Sequence, residues 1–404
     1  MARVSVIVVS NGRPDALQRC LLGLGQIDHP DCEVIVVADA VSFPAIAASG
    51  LAGAIKAVAF EIPNISAARN AGLSLAAGDV VAFIDDDAVP EPRWLSHLTA
   101  PFDDPGVAAA GGFVRGRNGI DFQWRARLVF ADAQTTPVEV DRVRPTLLAG
   151  GPGRAVKTEG TNMAVRRSVL LDQGGFDEAF AFYLDETDLN MRLAQIGAAT
   201  AIVPLAQVHH GFAASPRRRA DRVPRTLFQI GASLAVFLRK HGPLGRVTPW
   251  AGRAEQRGRL LRLMVAGQVM PGDVHRLLAT FDAGWEDGMA RPVAQHPVLP
   301  APPPFLRFPT GPRPHRVILA RSWRAGAGRA AAAQAVRDGA IASLYILSPT
   351  ALFHRVRFTA DGVWEQTGGQ FGKSDRSGRL FQPWRANARV SHEVARQQAQ
   401  RLPA

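Results

Sequence analysis

Short, unbroken runs of Val and Ile recur through the first 90 residues, each followed by an amphipathic stretch, and this rhythm limits the fold more than any other feature. Val4-Ser-Val-Ile-Val-Val9 is too uniformly apolar for a strand with one wet face and reads as a strand buried on both sides. Pro14 to Leu24 follows as a helix with Leu17, Leu21, Leu22 and Leu24 inward. Cys32 to Val37 is a second strand and Ala54 to Phe60 a weaker third. Ser66 to Ala77 reads as a helix capped by Ser66 and stopped before Gly78, feeding the strand Asp79 to Ile84. Strand, helix, strand with continuous apolar runs predicts an α/β fold whose parallel sheet is covered on both faces. Such sheets bind ligands at the carboxyl ends of their strands. Three polar groups fall there: Ser10 to Arg13, Asp39, and the triple Asp85-Asp86-Asp87.

Three adjacent carboxylates repel one another, so a cation or a set of donors has to compensate them. Oxygen ligands of this kind suit Mg2+ or Mn2+. A solvated turn that caps the following helix through Asp87 is the plainer alternative. Charge along the chain separates two regions. Residues 1–211 hold 17 Lys plus Arg against 24 Asp plus Glu, a net −7, and residues 212–404 hold 30 against 11, a net +19. An acidic half can gather carboxylates around a divalent cation, whereas a basic half points to anionic surfaces such as phospholipid head groups, phosphorylated glycans or nucleic acid.

Later segments divide the chain further. Asp185 to Ile196 reads as a helix stopped by Gly197, and Leu227 to Lys240 as another with Leu227, Ile230, Leu234, Phe237 and Leu238 at helical spacing. His296 to His315 contains eight prolines in twenty residues, which favours an extended, semi-rigid linker. Beyond it, Val317 to Ala320, a helix around Gly328 to Gly339, Leu344 to Leu347, Val356 to Thr359 and Val363 to Gln366 form a small α/β module. Its Arg- and Gln-rich tail is either helical or disordered. The expected organisation is therefore 1–212 as the domain that carries the acidic triple, 213–295 as a helical basic extension, 296–315 as the linker and 316–404 as the module. Cys20 and Cys32 alone provide no disulfide framework. The apolar run Val4 to Val9 is too short for a signal peptide, and no stretch reaches the ~20 apolar residues of a membrane span. A cytoplasmic location is expected, either free or peripheral at the inner face of the cell membrane.

The residues around the triple carry a further pattern. Ile65-Ser-Ala-Ala-Arg-Asn-Ala-Gly72 precedes Ala77-Gly-Asp-Val-Val-Ala-Phe-Ile-Asp-Asp-Asp87, and Pro90 and Trp94-Leu95 follow. Downstream stand Gly160-Thr-Asn-Met-Ala-Val-Arg-Arg167, Gly174-Gly-Phe-Asp-Glu178 and Asp185-Glu-Thr-Asp-Leu189. In this order and spacing, residues 1 to about 212 resemble a family 2 glycosyltransferase of the inverting, A-type nucleotide-diphospho-sugar transferase fold. The resemblance implies a mostly parallel central sheet covered by helices and a metal-dependent transfer from a nucleotide sugar. It implies that Asp85 contacts the ribose, Asp87 holds the cation, Asp86 stands beside them and Arg69 lies near the diphosphate, where an always-charged fork donor is apt. Glu186 falls at the position of the catalytic base, with Asp185 as the alternative. One of His209 and His210 completes the metal site, and Thr161 and Asn162 lie beneath the sugars. Asp188 is expected to pair with Arg192 one turn later rather than to act in catalysis.

Two places depart from the family pattern. Val9-Ser-Asn-Gly-Arg13 replaces the usual Pro-Thr-Tyr-Asn-Arg, and Ala38-Asp39 replaces a paired Asp-Asp. Both cradle the nucleotide base in the family, so Ser10, Arg13 and Asp39 are the candidate contacts there. Asp39, as a partner for a uracil or thymine imide, favours UDP or dTDP. The acceptor is expected to be a hydroxyl of a glycan or lipid-linked molecule, in cell-surface polysaccharide biosynthesis. A sugar-phosphate nucleotidyltransferase or a dinucleotide-binding oxidoreductase would need a Gly-rich phosphate turn after the first strand, which is missing. Processive synthases carry transmembrane helices and Gln-x-x-Arg-Trp; neither is found. Nucleic acid is disfavoured, because the aromatics of the basic half are not spaced as a stacking platform. The remaining alternative is a catalytically inactive scaffold of the same fold that binds anionic ligands through its basic half.

Overall fold

The computed structural model describes residues 2–211, 215–219, 221–243, 247–293 and 301–402. The N-terminal strands are β1 (Val4–Ser10), β2 (Cys32–Ala38), β3 (Ile55–Ala59), β4 (Val80–Asp85), β5 (Ala88–Pro90), β6 (Val107–Arg115) and β7 (Phe122–Trp124). They are followed by β8 (Arg127–Phe130), β9 (Thr135–Pro137), β10 (Thr146–Ala149), β11 (Arg154–Lys157), β12 (Met163–Arg166) and β13 (Ala199–His210). The helices among them are α1 (Pro14–Leu24), α2 (Pro44–Ala48), α3 (Ile65–Leu73), α4 (Trp94–Thr99), α5 (Arg167–Asp172) and α6 (Asp185–Gln195).

The central sheet runs β3-β2-β1-β4-β12-β6-β13-β10. β3, β2, β1 and β4 are mutually parallel and so are β6 and β13, whereas β12 is antiparallel to both its neighbours. This mixed α/β, mostly parallel architecture agrees with the expectation. Pleating sends alternate side chains to opposite faces, and both faces are buried. Val4, Val6, Val8, Val34 and Val36 pack with Leu17, Leu21, Trp94 and Leu98 on one face. Ile7, Ile35, Val81 and Phe83 pack with Leu73, Leu170, Phe176, Leu189 and Leu193 on the other. That two-sided burial is why the strands read as unbroken apolar runs.

The cap of α3 lies two residues before the Ser66 that the sequence suggested. Asn64 accepts a hydrogen bond from the backbone of Ala67, while the Ser66 hydroxyl donates to the Phe180 carbonyl 2.7 Å away and is fully buried. The helix also ends at Leu73, earlier than Ala77.

Helices α7 (Phe228–His241), α8 (Trp250–Val265) and α9 (Pro271–Ala290) form the extension, packed around Leu234, Phe237, Leu260, Leu277 and Phe281. Of the proline-rich stretch, 296–300 lie outside the described residues. Residues 301–313 contain no helix or strand and lie against the first domain. Phe308 is buried in its core and donates to the Cys32 carbonyl at 2.8 Å, and Leu306 donates to Glu33 at 3.0 Å. The stretch is thus an extended strap held along the sheet rather than a free spacer.

The last 90 residues contain β14 (His315–Arg321), α10 (Ala325–Arg337), β15 (Ile341–Ser348), β16 (Arg355–Phe358), β17 (Val363–Gly369) and α11 (Ala386–Arg401). Their sheet runs β14-β15-β17-β16, with the first three strands parallel. The tail is helical, and the module packs on the first domain through Val89, Ile341, Val356, Phe358 and Trp364. Among the described residues, no helix is long and apolar enough to cross a membrane.

Candidate active site

A cleft of about 260 Å³ opens where β1, β2 and β4 end, and the first turn of α6 and the basic segment 215–218 close its other sides. The neighbouring strands β1 and β4 bring Ser10 and Asp85 to its floor. The Ser10 hydroxyl donates to Asp86 at 2.7 Å, and Arg13 meets Asp86 at 2.6 Å and Asp87 at 3.5 Å. Asp86 is wholly buried, and burial pushes its carboxyl up to about 7 despite Arg13. Within the triple, Asp86 therefore points into protein and ties the loop after β1 to the end of β4, while Asp85 and Asp87 line the cleft.

His210 ends β13 with its Nε2 3.2 Å from Asp87. One ligand atom from each of Asp85, Asp87 and His210 lies within 4.8 Å of the others. Two carboxylate oxygens and an imidazole form a donor set that fits Mn2+ or Mg2+. The two histidines part company because adjacent residues of a strand face opposite ways. His209 turns from the cleft to Glu91, 2.7 Å away, and packs on Trp364, so it is not among the three grouped donors.

Arg69 is buried against the touching rings of Phe83 and Phe176. Its guanidinium pairs with Asp185 and lies 3.6 Å from Asp85, linking the two acidic sides of the cleft. Glu186 faces Lys157 at 2.7 Å, and Lys157 also reaches Thr187 at 2.8 Å. Burial pushes the Asp185 carboxyl up, whereas at Glu186 burial is outweighed by Lys157, which holds the carboxylate below its usual range. Burial also works against the Lys157 ammonium, and Glu159 and Glu186 more than restore it. The two residues before Asp185 are strained: Tyr183 and Leu184 have φ of 76° and 64°, a region non-glycine residues seldom adopt.

Two expected contacts lie elsewhere. The Asp39 carboxylate accepts from the backbone N–H groups of Gly12 and Ser42, both at 2.9 Å, and does not line the cleft. Burial alone would raise this carboxyl, but those donors hold it below its usual value. Asn162 is fully buried beneath the site. Its amide donates to the carbonyls of Phe113 and Ala206 and accepts from the Trp94 indole at 2.7 Å. With these bonds made, the side chain serves the scaffold and does not line the cleft. Its neighbour Thr161 does line the cleft, with a buried hydroxyl oxygen that has no hydrogen-bond partner.

The sequence reading missed Lys157, Glu159, Tyr183, Arg217 and Arg218. Arg218 lies 3.5 Å from Asp87, and Arg217 stacks on Phe182 with 4.4 Å to the ring centroid. The run Pro216-Arg-Arg-Arg219 just after His210 was the available signal. A cleft with a carboxylate–imidazole cluster, several arginines and a second carboxylate pair has the groups to bind a polyanion and to exchange a proton.

The comparisons with known proteins agree with that class. Residues 5–172 match the model of Glycosyl transferase family 2, so the chain carries a domain of this family. It is 29% identical to the pre-mycofactocin glycosyltransferase of Mycobacterium tuberculosis over 214 residues, 50% of this chain and 43% of that protein. It is 33% identical to the glucosyl-dolichyl phosphate glucuronosyltransferase of Haloferax volcanii over 129 residues, 29% and 36% of the two chains. With the O-antigen biosynthesis protein RfbC of Myxococcus xanthus it shares 26% identity over 262 residues, 60% of this chain and 20% of that one. The chain spans less than half the length of these curated relatives. Among solved structures, it is similar to the mannosyltransferase PcManGT of Pyrobaculum calidifontis in complex with GDP-Man and Mn2+, at 18% identity and a TM-score of 0.46, covering 72% of this chain and 87% of that one.

Proposed function

We propose that this protein is a metal-dependent, inverting glycosyltransferase that moves a single sugar from a nucleotide-diphospho-sugar to a hydroxyl of a glycan or lipid-linked acceptor. The observation that carries the reading is the opposition, across one cleft, of the Asp85, Asp87 and His210 cluster and the Asp185–Glu186 pair, with Arg69 between them. Asp85, Asp87 and His210 would hold Mn2+ or Mg2+, which when bound neutralises charge on the leaving diphosphate. Arg69, Arg13 and Arg218 ring the same end of the cleft and would add fixed positive charge there. Glu186 would take the proton of the acceptor hydroxyl during a single in-line displacement, with Asp185 as its alternative in that role. Ser10 and Thr161 would contribute hydroxyls to donor binding, and Asp85 would also meet the ribose.

A role in cell-surface polysaccharide assembly, from the cytoplasm or from the inner face of the membrane, is supported by relatives named for O-antigen biosynthesis and for a dolichyl phosphate acceptor. UDP or dTDP is the proposed nucleotide, although Asp39 is engaged by the backbone of Gly12 and Ser42 and lends this choice no direct contact. A thermal-shift screen of UDP-, dTDP- and GDP-sugars with and without Mn2+ tests the reading, because a ligand that binds the folded state raises stability by mass action. A metal-dependent shift followed by turnover supports it. Metal-independent binding without turnover would favour an inactive scaffold instead.

A further inference from the structure

The carboxyl ends of β14, β15 and β17 in the C-terminal module end in an apolar, cationic face. Trp323, just after β14, is 68% exposed; Leu352 and Phe353, after β15, are 64% and 59%; Leu380 and Phe381, after β17, are 65% and 58%. Single exposed apolar side chains are ordinary on protein surfaces, but five large ones at a single sheet edge are not.

Their proximity follows from the backbone. The Phe371 N–H donates to the Thr350 carbonyl, and Gln382 donates to the Phe371 carbonyl, which lays segments 350–353, 371–373 and 381–382 side by side. Phe371 and Phe381 stack with centroids 5.4 Å apart. Ser322, the neighbour of Trp323, lines one open depression with Leu352, Phe353 and Arg355.

The charges around these side chains are mainly basic, and the carboxylates of Asp375 and Asp121 are paired with Arg396 and Arg376. Arg324, Arg355 and Arg379 are exposed, Lys373 lies 4.8 Å over the Phe353 ring, and Arg321 lies 6.0 Å from the Trp323 ring. In residues 321–324, 349–355 and 370–385 the one carboxylate is Asp375, and Arg396 holds it at 3.4 Å. Exposed Trp, Phe and Leu rimmed by Arg and Lys match a surface whose outer layer is anionic and whose next layer is apolar. Aromatic rings rest at that boundary, long cations keep their charge in the head groups, and each basic residue near such a surface adds to the attraction.

We propose that this face docks the protein on an anionic phospholipid bilayer. The inference stands apart from the catalytic reading, since it uses no residue of the cleft. It also accounts for part of the net +19 carried by residues 212–404.

Flotation of the full chain with vesicles tests it, using phosphatidylcholine alone and phosphatidylcholine mixed with phosphatidylglycerol. The chain is expected to float with the mixed vesicles at low salt, to be released by high salt, and to show a blue shift of Trp fluorescence that is absent in Trp323→Ser. The double variant Trp323→Ser/Phe353→Ser should bind the mixed vesicles at least about a hundredfold more weakly, because two large rings no longer leave water for the bilayer boundary. Its thermal unfolding should be unchanged, since both side chains are exposed. Equal binding to both vesicle types, or binding by the double variant as tight as the parent's, would overturn the proposal. So would a dimer of the parent that becomes a monomer in the double variant while vesicles are ignored, because the face would then join copies of this chain. None of these readouts depends on sugar transfer, so failure here leaves the catalytic reading standing, and the reverse.

Discussion

Arg401, in the last turn of α11, closes a two-pronged ion pair on Glu91, with its Nε 2.8 Å and its Nη2 3.0 Å from the two carboxylate oxygens, both side chains being buried. Glu91 at the same time accepts from His209, next in sequence to His210 of the candidate metal site. One carboxylate thus joins the C-terminal helix to the strand that ends in the cleft. Arg401 pulls the Glu91 carboxyl far below its usual range even though burial works against it. Removing one partner of a buried pair leaves the other charge unpaired, at a cost of ~3–5 kcal/mol. Arg401→Met should therefore lower stability by about that amount in urea titrations. Arg401→Met/Glu91→Gln should lose less than the sum of the single changes; additive losses would show that the two do not act as a pair.

The division of the two histidines gives a test of the metal site. Asp87→Asn and His210→Ala should each abolish the Mn2+-dependent rise in melting temperature, because each removes one of three grouped ligands. His209→Gln should lower stability through its bond to Glu91 yet keep the Mn2+ response. Loss of the response in His209→Gln alone would move the site to the other face of β13.

Asn162 separates scaffold from contact. Three of its hydrogen bonds fasten buried groups around the Val203/Gln207 irregularity of β13, where the Ala206 carbonyl has left the ladder. Leaving such groups unpaired costs ~1–3 kcal/mol each. Asn162→Ala should drop stability by several kcal/mol, on the order of 3–5, with the KM for the donor unchanged in the folded fraction. A raised KM with normal stability would restore it to the sugar-binding set.

The contrast between Asn162 and Asp85 shows what is legible in such a chain. Asp85 follows an apolar run that can only be a buried strand, so its place at a carboxyl edge follows from local pattern. Asn162 sits in a Gly-Thr-Asn triplet that looks like a loop, and its role depends on a distorted strand some 40 residues later. Nothing near it in sequence marks that strand, or the close approach at Gly112, where an added Cβ would stand 2.1 Å from the Ala206 carbonyl. Lys157 and Arg401 were hidden for a different reason. A lone Lys on a short strand, or an Arg in a Gln-rich tail, is ordinarily solvated, and only tertiary packing brings each to a buried carboxylate. The pair Asp188 and Arg192, by contrast, is local, and the structure has it at 2.8 Å.

Asp188 supplies a pH prediction. It is buried, and the donors His241, Arg192 and Lys240 outweigh burial to hold its carboxyl well below the usual range. A depressed folded-state pKa adds stability above the unfolded value of about 3.9, and that stability is lost as pH falls through the folded value. Asp188→Asn should thus be destabilised by ~3 kcal/mol or more at neutral pH. The gap from the parent should close on moving into strong acid, as read by urea melts at several pH values. A gap independent of pH would mean that Asn disturbs packing rather than the charge cluster.

Lys157 holds down the carboxyl of Glu186, the proposed base. Glu186→Gln should keep the Mn2+- and donor-dependent thermal shift but lose transfer by about 10²- to 10⁴-fold, the range usual for a positioned acid–base group. Asp185→Asn should instead disturb Arg69, which Asp185 pins beside Asp85, and so weaken donor binding as well. Lys157→Met removes the cation that holds Glu186 down, so the Glu186 carboxyl must titrate at higher pH. Because the base works only when ionised, the acid limb of the kcat profile should move to higher pH in Lys157→Met. Activity in Glu186→Gln matching the parent, with none in Asp185→Asn, would assign the proton transfer to Asp185. The Lys157→Met limb would then stay where it was.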